Sequence, residues 1–189
     1  TRGVLQLDDD ILMPCSDLER GFARWREHPE RVTGYYPRLL EGDPPGYQCK
    51  VCEKHTYQTG HYNIILTGAA FIDGAATAEL YYSDAMQQAR DYVDANTNCE
   101  DLLMNYMMAA HLKGKQHVEW VRPSMRFDVG RLTKLQLSGG AVGAFGPQRH
   151  NCTRVFTQMF NNPLKGKAYP LNWDGMGKPV CVPVLGCLM

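Results

Sequence analysis

The chain has 189 residues, with 20 Lys and Arg against 20 Asp and Glu and a formal net charge of zero. That balance argues against a general binder of nucleic acid or anionic membrane, because such binding leans on excess positive charge. With 44% hydrophobic and 21% charged residues the composition is that of one globular domain rather than a disordered chain, and no stretch approaches the roughly 18 apolar residues of a membrane span.

Thr1 is not preceded by a Met or a leader sequence, so the start reads as truncated. The cysteines are Cys15, Cys49, Cys52, Cys99, Cys152, Cys181 and Cys187, an odd number that leaves at least one unpaired within the chain. This usage fits one or two bridges in a secretory compartment rather than a disulfide-dominated scaffold. Asn151-Cys152-Thr153 is a formal glycosylation sequon, a short pattern with little information.

In chain order, Val4–Leu7 is short and apolar and predicts a buried strand. Ser16 and Glu19 fit a capping box that opens a helix, in which Leu18, Phe22 and Trp25 share one face and which Pro29 ends. Val32–Leu40 reads as a second strand, with Pro37 marking an edge or a strand end. Residues 42–61, polar and rich in Gly and Pro, read as a long loop. Asn63–Asp73 is strand-like. Within it Gly68-Ala69-Ala70 is too small to fill a core and would let a ligand or another backbone come close. Ala75–Tyr92 and Leu102–Leu112 read as helices, His117–Val121 as a strand stopped by Pro123, and Thr153–Phe160 as a short helix. The stretch after Ala168 has no periodicity and reads as an irregular tail. Strands alternating with helices give an α/β architecture with a mixed sheet.

Three clusters carry candidate chemistry. Asp8-Asp9-Asp10 follows the first strand, at the strand end where open α/β sheets bind ligands. Carboxylates there suit a hard divalent cation that also takes phosphate. A solvated acidic turn ahead of a helix fits the same residues, and the triplet alone leaves both readings open. Glu100-Asp101 opens the Leu102–Leu112 helix. Acids in a first turn are ordinary partners of the helix dipole, and the alternative is a rigid carboxylate pair at a site rim that orients a hydroxyl or stabilises a cation. Cys49-Lys50-Val51-Cys52, with His55 and His61, looks like half a zinc site. A second C-x-x-C is absent, so a local disulfide or free thiols are the better reading. His111, His117 and His150 lack ligand spacing and read as surface or packing residues.

Taken in order, LQLDDDI, DLERGFARWREHPERVTGYYPR, YNIILTGAAFID, NCEDLLMNY and VEWVRP resemble the C-terminal domain of the exostosins, glycosyltransferase family 64, over roughly residues 3–165, and the plant-type members above all. The resemblance implies a GT-A-like nucleotide-sugar transferase domain over residues 1–168, with residues 169–189 as a tail. The first uridine-binding strands would then precede Thr1. It implies transfer of an N-acetylhexosamine or hexose, with retention, from a UDP-sugar to a glycan or glycolipid acceptor. It implies Mn²⁺ on a DxD motif, with Asp10 as the direct ligand and Asp8 as a second. Asp8 and Asp9 would serve the ribose, the metal's waters or the donor sugar. Gly68, Ala69 and Ala70 would line the donor pocket, and Glu100 would stand near the acceptor. Asp101 would be the catalytic acid and Arg149 the nearest candidate for a diphosphate-binding arginine. Cys99 would pair with Cys152. The whole protein would be anchored in the Golgi or endoplasmic reticulum membrane by a segment outside this chain. The alternative is a remnant of such a domain that binds carbohydrate or a partner without catalysis.

Overall fold

The computed structural model describes residues 2–47, 52–125, 127–128, 145–173, 180–182 and 186–188. Four strands form the central sheet: β1 (Gly3–Leu7), β5 (Ile64–Asp73), β3 (Val32–Arg38) and β6 (Val118–Trp120), in that order across it. β5 runs antiparallel to both β1 and β3, and β3 runs parallel to β6, so the sheet is mixed. The parallel pair needs a long connection; its last part, from β5 to β6, runs through α3 (Gly74–Tyr81), α4 (Gln87–Asn96) and α5 (Glu100–His111).

Every residue of β3 is buried. Pro37, which has no N–H to donate, lies beyond Gly34, the last β3 residue paired with β6, and near the end of the strand. The expected strand end is therefore where it was read. β1 differs from its reading. It is an edge strand that pairs only with β5 among the described residues, and Val4 and Leu7 are 43% and 41% exposed.

The small residues of β5 are needed by β3. A Cβ on Gly34 would meet the Ala69 carbonyl oxygen at 2.6 Å and Ala70 Cβ at 2.9 Å. Ala69 and Ala70 have no exposed surface. Ala69 packs with Trp25, Tyr35 and Phe71, and Ala70 packs with Val32, Ile65 and Met107 in a second cluster. The expectation that their side chains line a ligand pocket is corrected: they let two backbones approach inside the core. Gly68 is the member of the trio that is not fully buried, and it lies beside the Asp8 carboxylate.

Helix α1 (Cys15–Glu27) follows Pro14 and has no side-chain cap, so the Ser16–Glu19 capping box is not made. Its buried residues are Asp17, Gly21 and Trp25, one turn apart along one stripe, while Phe22 is 38% exposed. A Cβ on Gly21 would sit 1.9 Å from the Tyr35 hydroxyl, which donates to the Asp17 carbonyl at 2.7 Å. The Asp17 carboxylate accepts from Arg20 at 2.7 Å and from the Ser124 backbone and hydroxyl at 2.8 Å each. A fully buried charge is tolerable only when paired in this way, and the pairing ties the segment after β6 to α1.

Residues 42–61 are not a continuous loop. Cys52–Thr59 forms α2, because Cys52, Glu53, Thr56 and Tyr57 give it one buried face. Thr56 Oγ1 also donates back to the Cys52 carbonyl at 2.9 Å and accepts from the Leu39 N–H at 3.0 Å. The predicted Ala75–Tyr92 helix is broken into α3 and α4 by a short 3₁₀ turn at Asp84–Met86. The C-terminal helix α6 (Phe145–Met159) starts earlier than Thr153. The tail holds β8 (Tyr169–Pro170), paired with β4 (His61–Tyr62), and the antiparallel pair β9 (Val180–Val182) and β10 (Gly186–Leu188). His117 is fully buried as a packing residue, and burial with the nearby Lys167 charge pushes its imidazole down to about 3. Among the described residues no helix is long and apolar enough to cross a membrane.

Candidate active site

The site grows from the exit of β1. The Asp8 N–H donates to the Gly68 carbonyl at 2.8 Å, which extends the β1–β5 ladder by one bond and fixes Asp8 beside Gly68. A Cβ on Gly68 would lie 2.7 Å from Asp8 Oδ2 and 3.4 Å from Ile11 Cδ1, so glycine there leaves room for the carboxylate. The chain then turns at Asp9-Asp10 and re-enters as β2 (Ile11–Leu12), paired with β7 (Phe127–Asp128). Asp8 thus precedes the turn and Asp10 lies in it, with Asp9 exposed and Asp10 half-buried.

The second wall is the N-terminus of α5. Cys99 precedes it with φ 78°, a left-handed conformation uncommon for a residue with a Cβ. The Asn98 side chain accepts from the Cys99 N–H at 2.6 Å and donates to Gln148 at 3.1 Å. Asn105, fully buried in the next turn, accepts from the Ile65 N–H at 2.9 Å. It donates to the Ile65 and Asp101 carbonyls at 2.7 Å each. This amide locks α5 to β5 and so fixes where Asp101 stands relative to Gly68. A lone Asn in the apolar run LLMNYMM was the signal that the sequence reading passed over.

Asp101 is buried, and its Oδ2 accepts from Arg149 Nη2 at 2.7 Å while Oδ1 accepts from the Leu102 N–H at 2.7 Å. The Arg149 guanidinium also lies 4.7 Å over the Tyr47 ring and 3.4 Å from Asn98 Oδ1. Burial works against its charge, but the Asp101 carboxylate outweighs that and raises its pKa. Tyr47 carries no motif that sequence reading can find. Glu100 reaches the surface, yet its carboxyl is partly desolvated at the rim. That desolvation, then the Asp101 charge, and to a smaller extent Asp8, raise its pKa. Two elements far apart in sequence thus bring Asp8, Glu100 and Asp101 to one rim, with Arg149 against them. That is more than a dipole effect at one helix end.

The Cys99–Cys152 disulfide ties the start of α5 to α6, with both cysteines fully buried. It anchors Arg149 within one turn of the bridge. Cys52 is also disulfide-bonded, so it is no zinc thiolate. His55 sits 2.6 Å from Glu41, and His61 Nδ1 lies 2.9 Å from the Thr59 carbonyl. The zinc reading is set aside on these contacts; Cys49 lies outside the described residues, as does the stretch 129–144 before α6. Among the described residues no three His, Cys, Asp or Glu side chains form a ready-made metal cage. A nucleotide-bridging cation does not need one, since it commonly takes one or two carboxylates plus phosphate and water. The carboxylates of Asp8, Asp10, Glu100 and Asp101 are hard oxygen donors of the kind such a cation takes.

This mixed sheet, with carboxylates at a strand exit and a helix start, is compatible with a glycosyltransferase domain. Residues 1–175 match the Glycosyl transferase family 64 domain, and the chain belongs to that family. Among its relatives is "Glucosamine inositolphosphorylceramide transferase 1" of Oryza sativa subsp. indica, 47% identical over 179 residues, which covers 94% of this chain and 23% of the relative. The Arabidopsis thaliana protein of the same name is 39% identical over 165 residues, covering 86% and 21%. Human "Exostosin-2" is 33% identical over 168 residues, covering 87% and 22%. The chain thus spans less than a quarter of the length of these relatives.

Proposed function

We propose that the acidic rim is the donor and reaction site of a retaining glycosyltransferase that moves an N-acetylhexosamine or hexose from a UDP-sugar to a glycan or glycolipid. The observation that carries this is the Asp101–Arg149 pair, held by buried groups beside Asp8 and Glu100. Asp10, with Asp8, would hold Mn²⁺, which when bound supplies positive charge to the leaving diphosphate. Arg149 keeps a fixed, permanently charged guanidinium in the same region and shares that work.

Asp101 stabilises positive charge that develops on the sugar. Paired with Arg149 and bonded to the Leu102 N–H, it is a weak nucleophile, which favours electrostatic help to same-face attack over a covalent intermediate. Glu100, whose pKa is raised, orients the acceptor hydroxyl at the open side of the rim. The names of the plant relatives favour a sphingolipid headgroup as acceptor and glucosamine as the moved sugar. In the whole protein a membrane-anchored place in the Golgi or endoplasmic reticulum lumen agrees with the Cys99–Cys152 bridge. Calorimetric titration with UDP, with and without Mn²⁺, tests the site. Binding should require the metal and be lost in Asp10→Ala; metal-independent binding, or an unchanged Asp10→Ala, would remove the metal assignment.

A further inference from the structure

β6 is the opposite edge of the sheet from β1, three strand spacings away, or about 14 Å at ordinary strand separation. Beside β6 opens a cavity of about 280 Å³ whose wall includes Arg31, Tyr62, Gln116, Glu119, Trp120 and Tyr169. It is larger than the cavity near Asp73 and His111, and neither belongs to the acidic rim. Its volume is at the low end for ligand pockets, which suits one sugar-sized ring rather than a nucleotide-sugar.

The wall is charge-balanced and pre-arranged. Arg31 Nη1 donates to Glu119 Oε2 at 3.0 Å, and Gln116 Nε2 donates to the same oxygen at 3.0 Å and to the Val118 carbonyl at 2.8 Å. With Arg31 and Glu119 neutralising each other, a strongly charged ligand gains little there. Hydrogen-bonding capacity of both kinds remains. Glu119 has a second carboxylate oxygen and Gln116 its amide oxygen as acceptors. Arg31, its side chain 18% exposed, keeps guanidinium N–H groups beyond the one given to Glu119 as donors. The half-buried Tyr169 ring, edge to face on the buried Tyr62 at 5.8 Å, adds apolar surface.

A ligand that fits must both donate and accept, carry no net charge, and present C–H surface to aromatic rings. A pyranose does all three. We propose that this cavity is a second carbohydrate site that takes one neutral hexopyranose residue of a glycan, separate from the donor site at the acidic rim. The proposal rests on the cavity alone and does not depend on the transferase reading.

Saturation-transfer difference NMR with the methyl glycosides of glucose, galactose and N-acetylglucosamine tests it, recorded with UDP and Mn²⁺ in excess so that the acidic rim is not the site observed. The expected result is ring-proton signal from at least one glycoside that UDP does not displace. Its affinity should fall at least about fivefold in Arg31→Lys, which keeps the charge and removes the guanidinium fork, or in Gln116→Leu. Each variant is to be compared at an unchanged circular-dichroism spectrum, and if one fails to fold the other decides. No signal from any glycoside, displacement by UDP, or wild-type affinity in the folded variants would overturn the proposal.

Discussion

Gly68 and Glu100 show how single residues set the properties of the rim. The Gly68 position is tolerant in fold but not in chemistry, because the nearest atom to an added Cβ is the end of the Asp8 side chain at 2.7 Å. Gly68→Ala should therefore keep its melting temperature within a few degrees while weakening Mn²⁺-dependent UDP binding roughly tenfold, about 1.4 kcal/mol, as read by calorimetry. Glu100 offers a second test, by pH. Its folded carboxyl binds a proton more tightly than the ordinary value of 4.5, through desolvation and the Asp101 charge. A raised acid costs the folded state stability as pH climbs through that ordinary value toward the raised one, and the cost persists above it. Glu100→Gln should then melt higher than the wild type at neutral pH, with the difference gone at about pH 4. A gap of the same size at both pH values would place the effect elsewhere.

Among the elements, the start of α5 is held from three sides: by the bonds of its own Asn105 to Ile65 of β5, by Arg149 of α6, and by the disulfide to Cys152. The bridge closes a separation of 53 residues, so its loss should cost about 4 kcal/mol on the chain-entropy account. Replacing both Cys99 and Cys152 with Ser should lower the denaturant midpoint accordingly. It should also reduce transfer more than a distant destabilising change of equal size, because Arg149 and Asp101 lose their common anchor. Elements with strong patterns were legible in the sequence. α5 and β5 follow from long apolar runs, and β3 from a β-branched and aromatic stretch. What was not legible depended on burial against partners distant in sequence. A polar stretch became α2 because four of its side chains share a buried face against the sheet, and Asp17 replaced the expected capping box because it pairs with Ser124 and Arg20. Arg149 was named only as the nearest arginine, and nothing local in the sequence says that it crosses to Asp101.

At the scale of the whole molecule, the sheet separates two features, an acidic rim by β1 and a neutral polar cavity by β6. The order of chemistry-bearing blocks along the chain was enough to state the family, which the match over residues 1–175 bears out. It was not enough to tell Gly68 from Ala69 and Ala70, since both faces of β5 are covered at the two alanines and only packing against elements distant in sequence decides which of the three stays open. The central claim is that the rim performs metal-dependent sugar transfer from a nucleotide donor. The most direct measurement is product formation from a panel of UDP-sugars with Mn²⁺ and with chelator, in the wild type, Asp10→Ala and Asp101→Ala. The account predicts turnover that needs the metal and falls by at least about a hundredfold in either variant. Turnover that survives chelation or either substitution, or none with any UDP-sugar, would contradict it.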